Sequence, residues 1–411
     1  MNLNHHFAIY ISNNDNKVEL IEKIISGDIN SIFLGVNGAV FSEVTLNKFI
    51  DEEQRHGRFD VVTETKNSLQ NSSEGERKKA LLHHIISKQP DYLIVDNVFG
   101  NLDTTSRVTI QKTLSELSTH ITIIQITNRI SDILSFIEVV YQLKDDNLIL
   151  FEKPENKQYK SFVNDLPQSY NPITSEINPL VKFSDVSVTY HDRPIIKDIC
   201  WEIKSGEFWQ LIGPNGSGKS TILSLITGDN PKAYGQDITL FGVKKGSVES
   251  VWDIKKKIGY FSSDMLRGFK RLDSIGNMIA SGFFDTVGLY KKPTNQQIKI
   301  VHQWLHVLGM FDIRKQNFLS LSTGHQTLVL IARSMVKQPP LLILDEPTNG
   351  LDDTDAQIFT QLINKISKET NTAILYVSHR KEAGLKPDFV YQLIPNETGS
   401  SGEKMTFGKF L

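Results

Sequence analysis

The sequence predicts an α/β protein built from two tandem copies of a mostly parallel sheet with helices on both faces. Three observations carry that expectation. A phosphate-binding loop stands between a short apolar run and a helical pattern in the second half. A set of landmarks recurs along the chain in nearly constant register. Short apolar runs that end in Asp or in polar loops alternate with helical patterns, as parallel strands joined by crossover helices require.

The loop is Gly213-Pro214-Asn215-Gly216-Ser217-Gly218-Lys219-Ser220-Thr221, and the apolar run Phe208 to Ile212 leads into it. It fits G-x-x-x-x-G-K-[ST] at every fixed position. Glycines let the backbone approach an anion closely and take turns that a Cβ obstructs. Lys219 is placed to reach the β and γ phosphates of a nucleoside triphosphate and Ser220 to ligate Mg²⁺. The helix that follows offers its N-terminus to the charge.

The repeat is read from matched segments. Lys88-Gln89-Pro90 precedes Tyr92-Leu93-Ile94-Val95-Asp96, and Lys337-Gln338-Pro339 precedes Leu341-Leu342-Ile343-Leu344-Asp345, an offset of 249 between Asp96 and Asp345. The same offset of 249 relates Leu102-Asp103 to Leu351-Asp352 and Ser73 to Ser322. Val140-Tyr141-Gln142-Leu143 recurs as Val390-Tyr391-Gln392-Leu393 at an offset of 250. Several landmarks in one register predict a tandem duplication. Residues 1–152 form the first copy and 181–411 the second. Between them, 153–180 is polar, carries Pro154, Pro167, Pro172 and Pro179, and reads as a linker. The runs 92–96, 122–127, 341–345 and 372–378 read as buried parallel strands, and Ile358, Leu362 and Ile366 mark one helix face.

Composition narrows the class. A chain of 411 residues suggests two or three domains, and 39% hydrophobic with 22% charged residues is the balance of a soluble globular protein. A net charge of −2 gives no strong nucleic-acid signal. Cys200 is the single cysteine, which excludes an internal disulfide and a cysteine metal cluster and fits a reducing cytoplasm. Met1 to Glu19 carries Asn, His and Asp where a signal peptide needs an apolar segment. No run approaches the ~18 continuous apolar residues of a membrane helix. A cytoplasmic protein is expected, with any membrane association made through a partner.

Further motifs follow in a fixed order: Leu321-Ser322-Thr323-Gly324-His325, Leu344-Asp345-Glu346-Pro347, Gly350-Leu351-Asp352 and Ser378-His379. With the phosphate loop, this order resembles that of ATP-binding cassette (ABC) ATPases from about residue 181 to the end of the chain. Asp192-Arg193-Pro194-Ile195, Thr227-Gly228-Asp229 and Trp252-Asp253-Ile254-Lys255-Lys256 are similar to the tandem-cassette group called ModF or photorepair protein. The resemblance implies a P-loop NTPase (ABC ATPase) fold in two cassettes, ATP and Mg²⁺ as ligands, and ATP hydrolysis. It implies that Lys219, Glu346 and His379 are catalytic. Asp345 would hold Mg²⁺ through water together with Ser220, and Glu346 would orient and deprotonate the attacking water. His379 would bond the γ-phosphate, and Tyr190 would stack on adenine. Two positions depart from the family pattern. Ser263 stands where a glutamine usually contacts Mg²⁺ and relays to a membrane partner, and Thr323 and His325 replace the usual Gly and Gln of the signature.

In the first copy, alignment on Gly35-Val36-Asn37-Gly38 sets Val40 opposite Gly218 and Phe41 opposite Lys219. Asn97 stands opposite Glu346 and Asn128 opposite His379, and neither amide serves as a base at neutral pH. On this alignment 71 fewer residues separate loop from signature than in the second copy, which removes the Gln loop and most of the helical arm. The signature Ser72-Ser73-Glu74-Gly75-Glu76 keeps its serine and second glycine. In the resembling family two cassettes pack head to tail, with each ATP between one phosphate loop and the other signature. The resemblance therefore implies an intramolecular cassette dimer with one competent nucleotide site: Tyr190, Gly213 to Thr221, Ser73 and Gly75. Helix capping is the plain alternative for Ser73.

Three cellular roles remain open at this point. The first is the ATP-binding subunit of a membrane transporter, peripheral to the inner face of the membrane through a separate permease. The second is a soluble ABC ATPase acting on the ribosome or nucleic acid, although 153–180 lacks the long, charged, helical character of linkers in such tandem factors. The third is a nucleotide-dependent regulatory module.

Overall fold

The computed structural model describes residues 5–29, 33–65, 67–100, 102–144, 147–152, 162, 164–167, 177–247, 249–268, 272–380 and 382–406. Two compact units emerge: Met1–Lys157 with Gly350–Asp353, and Gln158–Asn349 with Thr354–Leu411. Most of the linker expected over 153–180 lies outside the described residues.

The first unit runs β1 (Phe7–Tyr10), α1 (Lys17–Ile25), β2 (Gly38–Ser42), α2 (Glu43–His56), α3 (Glu74–Ser87), β3 (Tyr92–Asp96), α4 (Thr104–Leu117), β4 (Thr122–Thr127), β5 (Val139–Lys144) and β6 (Asn147–Leu150). Its six strands order as β2-β3-β4-β1-β5-β6, all parallel except the edge pair β5–β6. Every residue of β3 and β4 is buried, which is why β3 reads as an apolar run up to Asp96 and why β4 keeps Ile123, Ile124 and Ile126 among its polar residues. Along β3, Leu93 and Val95 join one core while Tyr92 and Ile94 join another, as alternation across a two-sided sheet demands. Asp103 caps α4 by accepting from the Ser106 N–H at 2.7 Å.

The second unit adds β7 (Val181–Tyr190), β8 (Arg193–Ile203), β9 (Phe208–Ile212), α5 (Lys219–Thr227), β10 (Asp237–Leu240), β11 (Val243–Lys244), α6 (Val251–Lys256), β12 (Ile258–Ser262) and α7 (Met265–Gly268). It continues with α8 (Ile275–Ser281), α9 (Asn295–Val307), α10 (Thr323–Met335), β13 (Leu341–Asp345), α11 (Asp353–Glu369), β14 (Ala373–Val377), β15 (Phe389–Ile394) and β16 (Ser401–Thr406). Its six-stranded sheet orders as β12-β13-β14-β9-β15-β16, strand for strand the order of the first unit. A second sheet, β11-β10-β7-β8, is antiparallel. Its strands form no apolar runs because β7 alternates: Val181, Phe183, Val186 and Val188 are buried while Lys182 and Asp185 face water. One face on the core and one in solvent is the ordinary habit of antiparallel strands.

Candidate nucleotide site

The register of the second sheet assembles the site. Asp345 pairs with Val377 and Val377 with Leu211, so the segments leaving β9, β13 and β14 emerge side by side at the carboxyl ends of the strands. Ligands of open α/β sheets bind in that crevice.

The loop after β9 needs its glycines for identifiable reasons. Gly216 and Gly218 sit at φ 77° and 97°, and Gly218 is the residue before the first turn of α5. A Cβ at Gly218 would stand 2.5 Å from Ile196 Cγ2. Gly218→Ala is therefore expected to lower stability by about 2 kcal/mol, from a left-handed backbone plus that clash, and to weaken ATP binding; thermal melts and calorimetry read the two effects. Lys219 begins α5 and folds its ammonium over the loop, donating to the carbonyls of Gly213 (2.8 Å) and Pro214 (3.1 Å). Ser217 Oγ is buried within the loop without a hydrogen-bond partner.

Glu346 follows β13 in a left-handed conformation, φ 47°, with its N–H donated to the Val377 carbonyl at 2.8 Å. A glutamate there carries strain of about 1–3 kcal/mol, of the kind found at functional positions. Its carboxyl lies 3.7 Å from His379 Nε2. Burial first and the neighbouring Asp345 second push its pKa up to about 7, against the pull of Lys219, Ser378 and the His379 N–H. A base acting near neutral pH has its pKa in that region. Burial also raises Asp345, whose Oδ2 accepts from the Tyr260 hydroxyl at 3.3 Å.

Asp345 and Ser220 line one cavity of about 480 Å³. Two adjoining half-buried carboxyls, both held above their ordinary pKa, together with a serine hydroxyl offer hard oxygens that a dication would neutralise. These residues fit magnesium. Tyr190 ends β7, packs against the core, and accepts a hydrogen bond at 2.8 Å from Asn230 Nδ2, which also donates to Ser224 Oγ at 2.9 Å. Asn230 carried no signal in the sequence beyond the turn it makes with Pro231.

The two signatures share one construction. Ser73 caps α3 in a capping box with Glu76, whose carboxylate accepts from the Ser73 N–H and hydroxyl at 2.8 Å each. Ser322 caps α10, and its hydroxyl meets His325 Nδ1 at 2.8 Å. Glu76 and His325 are matched positions, so the altered signature residue does what the glutamate does: it engages the capping serine. At both glycines a neighbouring side chain packs against the backbone and would have to move to admit a Cβ. A Cβ at Gly75 would meet Ser106 Oγ at 2.3 Å, and one at Gly324 would meet Asp355 Cγ at 2.0 Å.

The alignment of the first phosphate loop on Gly35 to Gly38 is overturned. Gly38 begins β2, whose Ser42 pairs with Asp96 just as Ser262 of β12 pairs with Asp345. Val40 and Phe41 therefore match Tyr260 and Phe261, not Gly218 and Lys219. The counterpart of β9 is β1: Ile9 pairs with Ile126 and Ile126 with Asp96, as Leu211 pairs with Val377 and Val377 with Asp345. The loop between β1 and α1 is thus Ile11 to Asn16, and Lys17 takes the place of Lys219, an offset of 202. The deficit between loop and signature is then 47 residues rather than 71. It is shared between two connections: β10, β11 and α6 have no counterpart between α1 and β2 among the described residues, and α2 alone stands where α7 to α9 stand.

This loop has no glycine, which is why its pattern was invisible. Its backbone N–H groups are taken up by the protein: the Ser12 N–H donates to Asp15 Oδ2 at 2.6 Å and the Asn13 N–H to Asp352 Oδ2 at 3.0 Å, while the Glu19 N–H of α1 donates to Asn16 Oδ1 at 3.3 Å. Lys17 Nζ forms an ion pair with buried Asp96 at 3.1 Å. Asn97 keeps the left-handed backbone of Glu346 (φ 46°), and the Asn128 N–H donates to its side chain at 3.2 Å. The scaffold of the site survives in the first unit with its aspartate but without the glutamate.

A family model described as ABC transporter matches residues 196–349. The Escherichia coli ABC transporter ATP-binding protein ModF is 39% identical over 328 residues, 75% of this chain and 67% of that protein. An uncharacterized ABC transporter ATP-binding protein of Schizosaccharomyces pombe, C323.04, is 31% identical over 327 residues, covering 77% and 66%. The chain thus spans about two thirds of the length of each relative. Among solved structures, a model of ribosome-bound archaeal Pelota and ABCE1 superposes with a TM-score of 0.65 at 13% identity, over 98% of this chain and 75% of that one, a likeness of fold alone. By its motifs, its site and its identity to ModF, the chain belongs to the ABC transporter family of ATP-binding proteins, which hydrolyse ATP.

Proposed function

We propose that the chain hydrolyses Mg·ATP at one site, built on the second unit, and serves as the ATP-binding subunit of a membrane transporter. One contrast carries the single-site reading. The second unit brings Lys219, Asp345, Glu346 and His379 to the ends of adjacent strands, with the Glu346 pKa near 7. The first unit holds Lys17 against Asp96 and offers only Asn97 and Asn128.

Lys219 and the loop N–H groups hold the β and γ phosphates. Bound magnesium, held by Ser220 and Asp345, would offset charge on the transferring phosphoryl group. Glu346 takes the proton of a water whose oxygen forms the new bond to the γ-phosphorus, while the bond to the β-phosphate oxygen breaks. ADP and inorganic phosphate result. His379 steadies the γ-phosphate from the segment after β14, and Tyr190 stacks on the adenine.

The transporter role rests on what the relatives are called and on one further fact. No helix of the described residues is long and apolar enough to cross a membrane, and the permease is assigned to a separate polypeptide. The test is fractionation of tagged Glu346→Gln protein from cells lysed gently in ATP and Mg²⁺, with Lys219→Ala as the control that cannot hold nucleotide. Enrichment in membranes, lost in the control, is the expected result. Enrichment with ribosomes or nucleic acid would overturn the transporter role and leave the ATPase intact.

A further inference from the structure

We propose that Tyr260 is a positioning residue for Asp345, doing through its phenol what the serine at position 263 is too short to do. The proposal rests on the Mg·ATP reading given above. In the parallel pair β12–β13, Tyr260 pairs with Ile343 and Ser262 with Asp345, so Tyr260 stands two residues before Ser262 on the same face of the sheet. Its side chain leans along the strand and brings the hydroxyl 3.3 Å from Asp345 Oδ2, to which it donates. Tyr260, Asp345 and Ser220 all line the same cavity.

The tyrosine itself is held. Its carbonyl accepts from Ser334 Oγ of α10 at 2.9 Å, and that hydroxyl also bonds the Leu330 carbonyl at 2.9 Å. The preceding Gly259 lies so close to α10 that a Cβ would stand 2.6 Å from the Ser334 carbonyl oxygen. A strand pinned this way fixes the origin of the Tyr260 side chain, and the ring packs against buried core residues. Ser263 anchors only by its backbone, donating its N–H to the Asp345 carbonyl at 3.3 Å. A serine hydroxyl cannot extend as far as a glutamine amide.

The first unit supplies an internal comparison. Val40 occupies the place of Tyr260, and the matching carboxylate, Asp96, is paired with Lys17 instead. The phenol is present where the carboxylate is kept for a ligand and missing where a lysine holds it.

The experiment measures ATP binding by calorimetry across a Mg²⁺ titration and again in EDTA, all in the Glu346→Gln background so that no turnover intervenes. Tyr260→Phe keeps the ring and its packing, and removes one hydrogen bond to a charged group. It should raise the half-saturating Mg²⁺ concentration about five- to tenfold, leave ATP affinity in EDTA unchanged, and leave the melting temperature near that of its parent. Adding Ser263→Gln to Tyr260→Phe should restore most of the Mg²⁺ dependence. Bound Mn²⁺, followed by its electron paramagnetic resonance line shape in the ADP complex, gives a second readout that should change on Tyr260→Phe. An unchanged Mg²⁺ titration, or an equal loss with and without metal, would overturn the positioning role. No restoration by glutamine would overturn its equivalence to the absent Gln. Failure of the Glu346→Gln parent to bind Mg·ATP at all would instead count against the site on which the proposal rests.

Discussion

Glu346→Gln should bind ATP with nearly native affinity and hydrolyse it roughly 10²–10⁴-fold more slowly. The substitution keeps size and polarity and removes only the capacity to take a proton. Because Lys219, Ser220 and the loop N–H groups are untouched, nucleotide affinity measured by calorimetry should hold while phosphate release falls. Loss of both together would mean that Glu346 holds nucleotide and is not the base.

The same substitution makes a second, independent mark on stability. Glu346 has a folded pKa raised from 4.5 to about 7, chiefly by burial. The folded state therefore binds its proton more tightly than the unfolded state does. Sign follows directly: this group's contribution is fully present below about pH 4.5 and is lost as pH rises through 7. In EDTA and without nucleotide, the glutamine variant should gain on the parent across that window, to about 3 kcal/mol at the upper end. Denaturant unfolding at a series of pH values checks it, and a flat difference would remove burial as the cause of the raised pKa. A residue that weakens the folded protein at neutral pH, and that also occupies a strained backbone conformation, is maintained for chemistry.

The parts of this molecule most legible in the sequence were those whose physics is local. The loop Gly213 to Thr221 was plain because an anion site made of backbone demands glycines at fixed spacing. The strands at 92–96 and 341–345 were plain because parallel strands are buried on both faces. What stayed hidden depended on partners distant in sequence. The polar segment Ile11 to Asn16 carries no phosphate-loop signal, and only the pairing of Ile9 with Ile126 reveals it as one. Glycines at 35 and 38 imitated the motif while serving the entry to β2. The Tyr260–Asp345 and Asn230–Tyr190 bonds likewise join residues 85 and 40 positions apart. The antiparallel sheet is hard to see in the sequence for a different reason, since alternation spreads its apolar residues too thinly to stand out as runs.

Lys17→Met should leave ATP turnover within about twofold of the parent and lower the stability of the chain by about 3 kcal/mol, the cost of leaving a buried charge unpaired. Asp96 is 3% exposed, its Oδ1 has no hydrogen-bond partner, and Lys17 at 3.1 Å is its counter-ion. Burial already raises its pKa and Glu43 adds to that, while Lys17 opposes both, so removing the lysine takes away what favours the charged carboxylate. Removing both charges in Lys17→Met/Asp96→Leu should return much of the stability, because a buried ion pair is often matched by apolar groups of similar size. Lys219→Met, at the matched position, should instead abolish ATP binding. The two lysines thus have the same place in the fold and opposite tasks: one keeps its charge for a ligand, the other spends it inside the protein on an aspartate. Calorimetric stoichiometry decides between this account and a second functional site. One ATP per chain, unchanged by Lys17→Met, is expected; two ATP per chain, reduced to one by Lys17→Met, would sink it.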